Sequence, residues 1–356
     1  MILERYIATN LVKGWLLVLL VLAAVFGLIG FIQEMERTRF DYDALAVGRY
    51  TLAVLPQQLV SLAPVVALLG SIIALASLDR FNELTIISCS GFSRARLLAA
   101  IALPTVLLMI ILWLCMEYVT PPLQQSAEAE RQALRHHNQV RIPDGGVWSK
   151  NGNRYIHLDK MHKGGVPGDI DLFEFDDSGR LTRALHAHKA QVSDDRTWLF
   201  QRVKEKRLEK GKLVTRRHKE LEIDNLWSPD ELPTLTLDSE SMRLSVLHSY
   251  SLYRAESGQP YKSYLSTFWQ KLLMPLTVAA MVLLATPISA NLGARRDRSF
   301  GLDIAMGALL GILFYLGAQI VFALGQLLDL NVPLVALTPT IVIVLCALVM
   351  LRRMHW

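Results

Sequence analysis

Six runs of this chain contain no Asp, Glu, Lys or Arg: Gly14–Gln33, Tyr50–Leu78, Leu97–Met116, Leu272–Ala294, Ile304–Leu328 and Leu330–Leu351. Each reaches about 20 residues or more, the length of helix that crosses the hydrocarbon core of a bilayer. A water-soluble core cannot hide that much uninterrupted apolar chain. The composition agrees, with 52% hydrophobic and only 19% charged residues, and the chain reads as an integral membrane protein with six spans. The first run begins too far into the chain, and lacks the small-residue cleavage site, for a removed signal peptide, so it reads as a retained helix.

Charge placement sets an orientation. With the N-terminus cytoplasmic, Arg5, Lys13, Arg80, Arg94, Arg96, Arg295, Arg296, Arg298, Arg352 and Arg353 fall inside, and the two short outer loops hold only Arg37, Arg39 and Arg49. Both termini are then cytoplasmic. The long segment between the third and fourth spans faces outward and carries most of the charged residues of both signs, as a soluble domain would.

That segment reads as all-β. Asn151-Gly152 lies between two strand-like runs and tolerates the positive φ of a tight hairpin turn. Further turns are expected at Asp176–Gly179 and Glu209–Lys212, each flanked by partial apolar alternation. Short strands at this spacing favour a sandwich, a jelly roll or a barrel. Gln124–Gln139 is polar and helix-prone and reads as a continuation of the third span beyond the membrane. The spans thus split three plus three around one insertion. Cys89, Cys115 and Cys346 lie in the loop or spans, so the exported domain holds no thiol for an internal disulfide.

The stretch NELTIISCSGFSRARL, 82–97, is too polar to cross the membrane and too short to be a domain. Asn82 can cap a helix, Glu83 suits its positive end, and Leu84 and Ile87 share a face at i, i+3. Gly91 can end the helix in the left-handed conformation with Phe92 as the following apolar contact, and Ser93 can cap the next helix. A short amphipathic helix across the ends of two spans either rests on headgroups or presents a shaped surface to a protein. The chain has no GxxxxGK[ST] loop to hold a nucleotide, so a partner ATPase is the natural motor.

Catalytic constellations are scarce: neither HExxH nor GxSxG occurs. His186 and His188 share a strand face, where solvated residues are the plainer reading, and no metal site is expected. Glu34, Glu36, Asp41 and Asp43 crowd the first outer loop. Asp41 and Asp43 could hold a divalent cation against a lipid-linked sugar, as in a membrane glycosyltransferase, but Arg37 and Arg39 interleave them. An anchored scaffold is the other alternative. Pro56, Pro64, Pro104, Pro275 and Pro287 can kink or end spans, and Gly307, Gly311 and Gly317 can permit close helix contact.

Glu83-Leu84 followed by Ser90-Gly91-Phe92-Ser93-Arg94, between the second and third spans, resembles the LptF/LptG family of lipopolysaccharide export permeases. Asp41–Leu52, Gly146–Met161 and Phe268–Leu283 put the likeness on the LptG side, and it runs the whole chain. The resemblance implies an α-helical membrane protein of six transmembrane helices, at 1–118 and 269–356, around a periplasmic β-jelly-roll domain at 119–268. It implies a coupling helix at about 82–92 that docks on the ATPase through Glu83, Leu84, Ile87, Ser90, Gly91, Phe92 and Arg94. The implied partners are an LptF-like permease, an LptB-like ATPase dimer that binds the ATP and Mg, and an LptC-like single-span protein. The chain itself needs no cofactor, performs no catalysis and contacts no nucleic acid. Lipopolysaccharide would enter from the outer leaflet of a Gram-negative inner membrane, its phosphates near Arg37 and Arg39. Its acyl chains would lie against Phe26, Phe31, Phe314, Tyr315 and Phe322.

Overall fold

The computed structural model describes residues 2–36, 42–80, 83, 86–87, 90, 93–135, 139–140, 147–151, 153–162, 166–176, 178–192, 197–209, 212–224, 226, 239–256, 260–293 and 300–353. Its helices are α1 (Ile2–Met35), α2 (Ala44–Ser61), α3 (Ala63–Arg80), α4 (Arg94–Leu114), α5 (Thr120–Arg135), α6 (Leu244–Glu256), α7 (Lys262–Gly293), α8 (Phe300–Leu327) and α9 (Val332–Arg353). Among the described residues five helical stretches are long and apolar enough to cross a membrane: α1, α4 continued into α5, α7, α8 and α9. The pair α2 and α3, bent by 69°, makes a sixth when taken as one broken span.

That bend departs from the single straight helix expected over Tyr50–Leu78, and proline explains it. Pro64 has no N–H to donate into the preceding turn and disfavours helical backbone at the residue before it. Leu62 ends α2 with its N–H on the Gln58 carbonyl, and its own carbonyl then receives the N–H groups of Val65 and Val66 to begin α3. The third span also changes character where prolines arrive. Cys115–Val119 forms a π-helical turn in which Thr120 N–H reaches back to the Cys115 carbonyl. Pro121 and Pro122 follow in α5, and the widened turn absorbs their missing donors without ending the helix.

α3 lies at the centre of the bundle, with α1, α7 and α8 against it. Its tightest crossing is with α1: a Cβ on Gly14 would stand 2.3 Å from the Gly70 carbonyl oxygen, and one on Gly70 would stand 2.7 Å from the Trp15 ring. Bare backbone at both positions lets the helices touch, and the Trp15 indole N–H donates to Ser71 Oγ at 2.9 Å beside them. On the other flank a Cβ on Gly307 would meet Ile72 at 2.9 Å and one on Gly311 would meet Val65 at 3.0 Å, so both glycines are spent on α3 within the chain. Gly317 faces open space.

Between α5 and α6 lie strands β1 (Gln139–Val140), β2 (Val147–Asn151), β3 (Arg154–His162), β4 (Val166–Phe175), β5 (Leu181–Val192), β6 (Trp198–Glu209) and β7 (Lys212–Ile223). The hairpins turn where the sequence places them, with Asn151 opposite Arg154 and Glu209 opposite Lys212; Gly179, at φ +75°, bends the turn between β4 and β5. β3 to β7 follow one another in a single antiparallel sheet, and β1 and β2 both pair with β3. The inserted β-domain is thus an antiparallel meander, and the jelly-roll expectation narrows to this one sheet.

Its apolar face packs on α6 and the start of α7, around Ile156, Leu158, Ile170, Leu172, Trp198, Phe200, Leu247 and Tyr250. The incomplete alternation of its sequence has a backbone cause. Asp169 and Arg202 adopt φ +47° and +54°, which turns a strand over and slips its inward phase by one residue. Buried Phe200 and Val203 on β6, which flank Arg202, are consequently three apart.

The domain is tied to the bundle by buried polar groups. Ser245 donates to the Glu117 carboxylate from both its hydroxyl, at 2.5 Å, and its backbone N–H, so an acid in the π turn serves the positive end of α6. Lys271, buried on α7, donates to the carbonyls of Glu240 and Met242 at 2.6 and 2.8 Å.

Candidate functional site

The loop between α3 and α4 lies at the end of the bundle away from the β-domain. Glu83, Ile86 and Ile87 are helical within it, while Leu84, Gly91 and Phe92 lie outside the described residues. Glu83 accepts a hydrogen bond from the Tyr6 hydroxyl of α1 at 2.8 Å. Ile87 is 4% exposed and belongs to the bundle core, whereas its neighbour Ile86 is 65% exposed. Ser90 closes the turn, its N–H on the Ile86 carbonyl and its hydroxyl on that of Ile87. Ser93 sits in extended backbone and caps α4, accepting from Arg96 N–H at 3.3 Å; Arg94 is the first residue of that helix.

Among the described residues the loop is therefore held to the bundle by an apolar plug, Ile87, and a hydrogen bond from Tyr6 of α1 to Glu83, and Ile86 faces outward. Of the residues expected to face a partner, Ile87 points inward. Ile86 and Tyr6 were not anticipated: adjacent isoleucines look alike in sequence, and Tyr6 is 77 positions from Glu83.

The opposite end, beside the β-domain, gathers charge from three helices. Arg131 on α5 donates to both oxygens of Glu34 on α1, at 2.7 and 3.3 Å, and to both oxygens of Glu128, at 3.2 and 3.1 Å. It also lies over the Tyr50 ring of α2 at 4.8 Å. Arg131 and Glu34 are largely buried, so this is a desolvated pair with a second acid on its exposed flank. Tyr42 is buried beside it with Phe31 against it, and burial, then the Glu34 carboxylate, push its phenol well above the ordinary tyrosine range. Two carboxylates surround one guanidinium, so Arg131 has little charge left for an outside anion. Arg49 is likewise paired, to Glu130 at 2.7 Å. Arg37 and Arg39, the expected phosphate ligands, lie outside the described residues.

Asp43 accepts from Ala46 N–H at 2.9 Å and caps α2; Asp41 lies outside the described residues. His186 and His188 are each held by one carboxylate, Asp171 at 2.7 Å and Asp169 at 2.9 Å. No group of three or more metal-ligating side chains occurs among the described residues.

The five aromatic residues expected against acyl chains fall on two helices. Phe26 and Phe31 are on α1, both half-buried. Phe314 on α8 packs on the bundle core, Tyr315 is exposed, and Phe322 lines a cavity of about 520 Å³ beside the Lys262–Asp329 ion pair. α1 and α8 flank α3, and only 11% of the apolar stretch of each is buried, against 61% in α7. Leu16, Leu20 and Leu28 of α1, and Leu309, Leu313 and Leu316 of α8, remain outward.

Apolar spans around a central α3, broken by one β-domain that packs through α6, define a polytopic α-helical membrane protein. The chain belongs to the family described as lipopolysaccharide export system permease LptF/LptG, whose model matches residues 5–353. It is 27% identical over 358 residues to the lipopolysaccharide export system permease protein LptG of Escherichia coli strain K12, covering 99% of this chain and 98% of that protein. To the LptG protein of Haemophilus influenzae it is 28% identical over 326 residues, covering 91% and 90%.

Proposed function

We propose that this chain is the permease subunit of an ABC transporter. It takes lipopolysaccharide from the outer leaflet of the inner membrane and passes it to a periplasmic bridge, and ATP is hydrolysed on a separate subunit. The observation that carries the reading is the anchored loop between α3 and α4, in a chain whose family match is nearly full length. Ile87 in the bundle core and Glu83 on Tyr6 anchor that loop to the spans and to α1 in particular, so force on its outer surface is passed to the bundle. The docking surface comprises Glu83, Leu84, Ile86, Ser90, Gly91, Phe92 and Arg94.

In this reading both termini are cytoplasmic and the β-domain is periplasmic. The outward apolar faces of α1 and α8 meet an LptF-like permease, an LptC-like span or the acyl chains of the cargo, with Phe26, Phe31, Phe314, Tyr315 and Phe322 on the lipid side. Arg37 and Arg39 serve the phosphates, since Arg131 and Arg49 are neutralised.

Native mass spectrometry of the gently solubilised complex tests this. Two ATPase chains, a second six-span partner and a bound mass of lipopolysaccharide are expected; a lone chain or homodimer across several mild detergents would overturn the reading. Glu83→Ala or Gly91→Pro should uncouple ATP hydrolysis from export or disrupt assembly, and Asp41→Asn should be mild. An intact complex killed by Asp41→Asn would favour an enzyme instead.

A further inference from the structure

At the end of the bundle away from the β-domain, α1 and α4 leave between them a groove of about 1120 Å³. One wall is Ile2, Arg5, Thr9 and Val12; the other is Ala99, Leu103, Leu107 and Ile110. Small side chains leave room for it: Ala8 on α1 and Ala99 and Ala100 on α4 line it, with Pro104, which has no N–H to bond the turn below, on the same wall. The large apolar residues along its rim stay exposed after folding, Leu103 at 76% and Leu107 at 57%.

Its length and its charge are both informative. Ala99 to Ile110 rises about 16 Å along a helix, close to half of the roughly 30 Å hydrocarbon core, which is one leaflet. The charged end is the one that would meet headgroups. Arg5 lines the groove there, and Arg96 continues the α4 stripe of Ala99, Leu103, Leu107 and Ile110 one turn further out. Both arginines are exposed, and neither guanidinium has an acidic partner among the described residues. Glu4 is the acid among the lining residues, and Thr9 turns its hydroxyl back to the Arg5 carbonyl.

We infer that this groove is a binding site for one anionic phospholipid, with its acyl chains between α1 and α4 and its phosphate held by Arg5 and Arg96. A single leaflet-deep slot with two cations at its mouth that no acid among the described residues pairs matches such a lipid in length and in charge, whereas a partner helix would span both leaflets and gain nothing from the arginines. That the lipid belongs to the cytoplasmic leaflet rests on the orientation proposed above; the site itself does not.

The test is native mass spectrometry of the full chain released from nanodiscs of phosphatidylglycerol and phosphatidylethanolamine. One retained phosphatidylglycerol is expected, well above phosphatidylethanolamine. Arg5→Gln or Arg96→Gln should weaken retention roughly five-fold each, and the double variant about thirty-fold. Ala99→Phe should exclude both lipids, and circular dichroism checks that it folds. Equal retention of the two lipids would overturn the site, as would an unchanged double variant. So would Leu103→Cys cross-linking to a partner helix in the complex. Lipopolysaccharide export by the same variants separates the two readings: an exporting chain that retains no phosphatidylglycerol sinks this site alone. Retained phosphatidylglycerol in a chain that assembles with no ATPase sinks the permease reading alone.

Discussion

The β-domain and the membrane spans obey opposite rules about what an apolar side chain means. In the β-domain, Trp198 and Phe200 are fully buried and the cations of β6 and β7 face water, so apolar reads as inside. In the bundle, Leu20 and Leu313 are as apolar as any core residue yet 64% and 57% exposed. Lipid removes the penalty for facing outward, so the residues that mark contact are the small and polar ones: Gly14, Gly70, Gly307 and Ser71. Water sorts side chains by polarity, whereas a bilayer leaves sorting to shape and hydrogen bonding.

Substitutions can break that contrast. Trp198→Ala removes the largest fully buried side chain in the β-core and should cost about 3–5 kcal/mol, read as faster hydrogen exchange over β5 to β7 in the full-length protein. Gly70→Ala should cost about 1–3 kcal/mol, because the new methyl must displace the Trp15 ring and the Gly14 backbone. Thermal unfolding in detergent measures it, and Gly317→Ala in the same assay should change little. If the two glycine variants behave alike, the close α1–α3 crossing is absent.

Glu34→Gln leaves Arg131 balanced by Glu128 alone. It should cost about 1–3 kcal/mol by the same measurement, with a larger loss for Arg131→Met, which leaves the buried Glu34 carboxylate without its counter-charge. At the small end, Leu313→Ala should stay within about 0.5 kcal/mol, since its side chain faces outward. A loss comparable to that of Trp198→Ala would show that α8 is covered by protein under the conditions of the assay.

Acid should separate the two regions. Burial opposes the charge of Glu205, yet hydrogen bonds from His218 and Arg183, at 2.8 and 2.7 Å, hold its carboxyl below the usual glutamate range. A depressed carboxyl stabilises the fold above its unfolded value, about 4.3, and loses that contribution as pH falls through its lower folded value. Protection against hydrogen exchange over β5 to β7, corrected for the intrinsic rate at each pH, should therefore fall below about pH 4, and Glu205→Gln should remove that step. Exchange in α3 and α7 should respond less.

Much of this was legible in the chain. The apolar runs located the spans because a helix has one length that crosses a bilayer. Asn151-Gly152, Asp176–Gly179 and Ser93 announced turns and a cap through local chemistry. The bend at Leu62 was half-legible: Pro64 forbids a regular helix there, but proline alone does not say how far the axis turns. The membrane-face sites were legible only as segments. Nothing local distinguishes Ile86 from Ile87, or shows that Arg131 is already claimed by Glu34 on a helix 97 residues away.

By itself the sequence determined that the chain enters a membrane several times, that a β-domain interrupts it after the third span, and which short loop joins the second and third spans. Length, charge and turn chemistry are properties of neighbouring residues. Only the tertiary structure decided which apolar faces meet each other, which cations stay unpaired, and where a groove opens between α1 and α4. Those depend on pairs of residues brought together across many turns of helix. In a medium as apolar as the protein interior, hydropathy gives such pairs no signature.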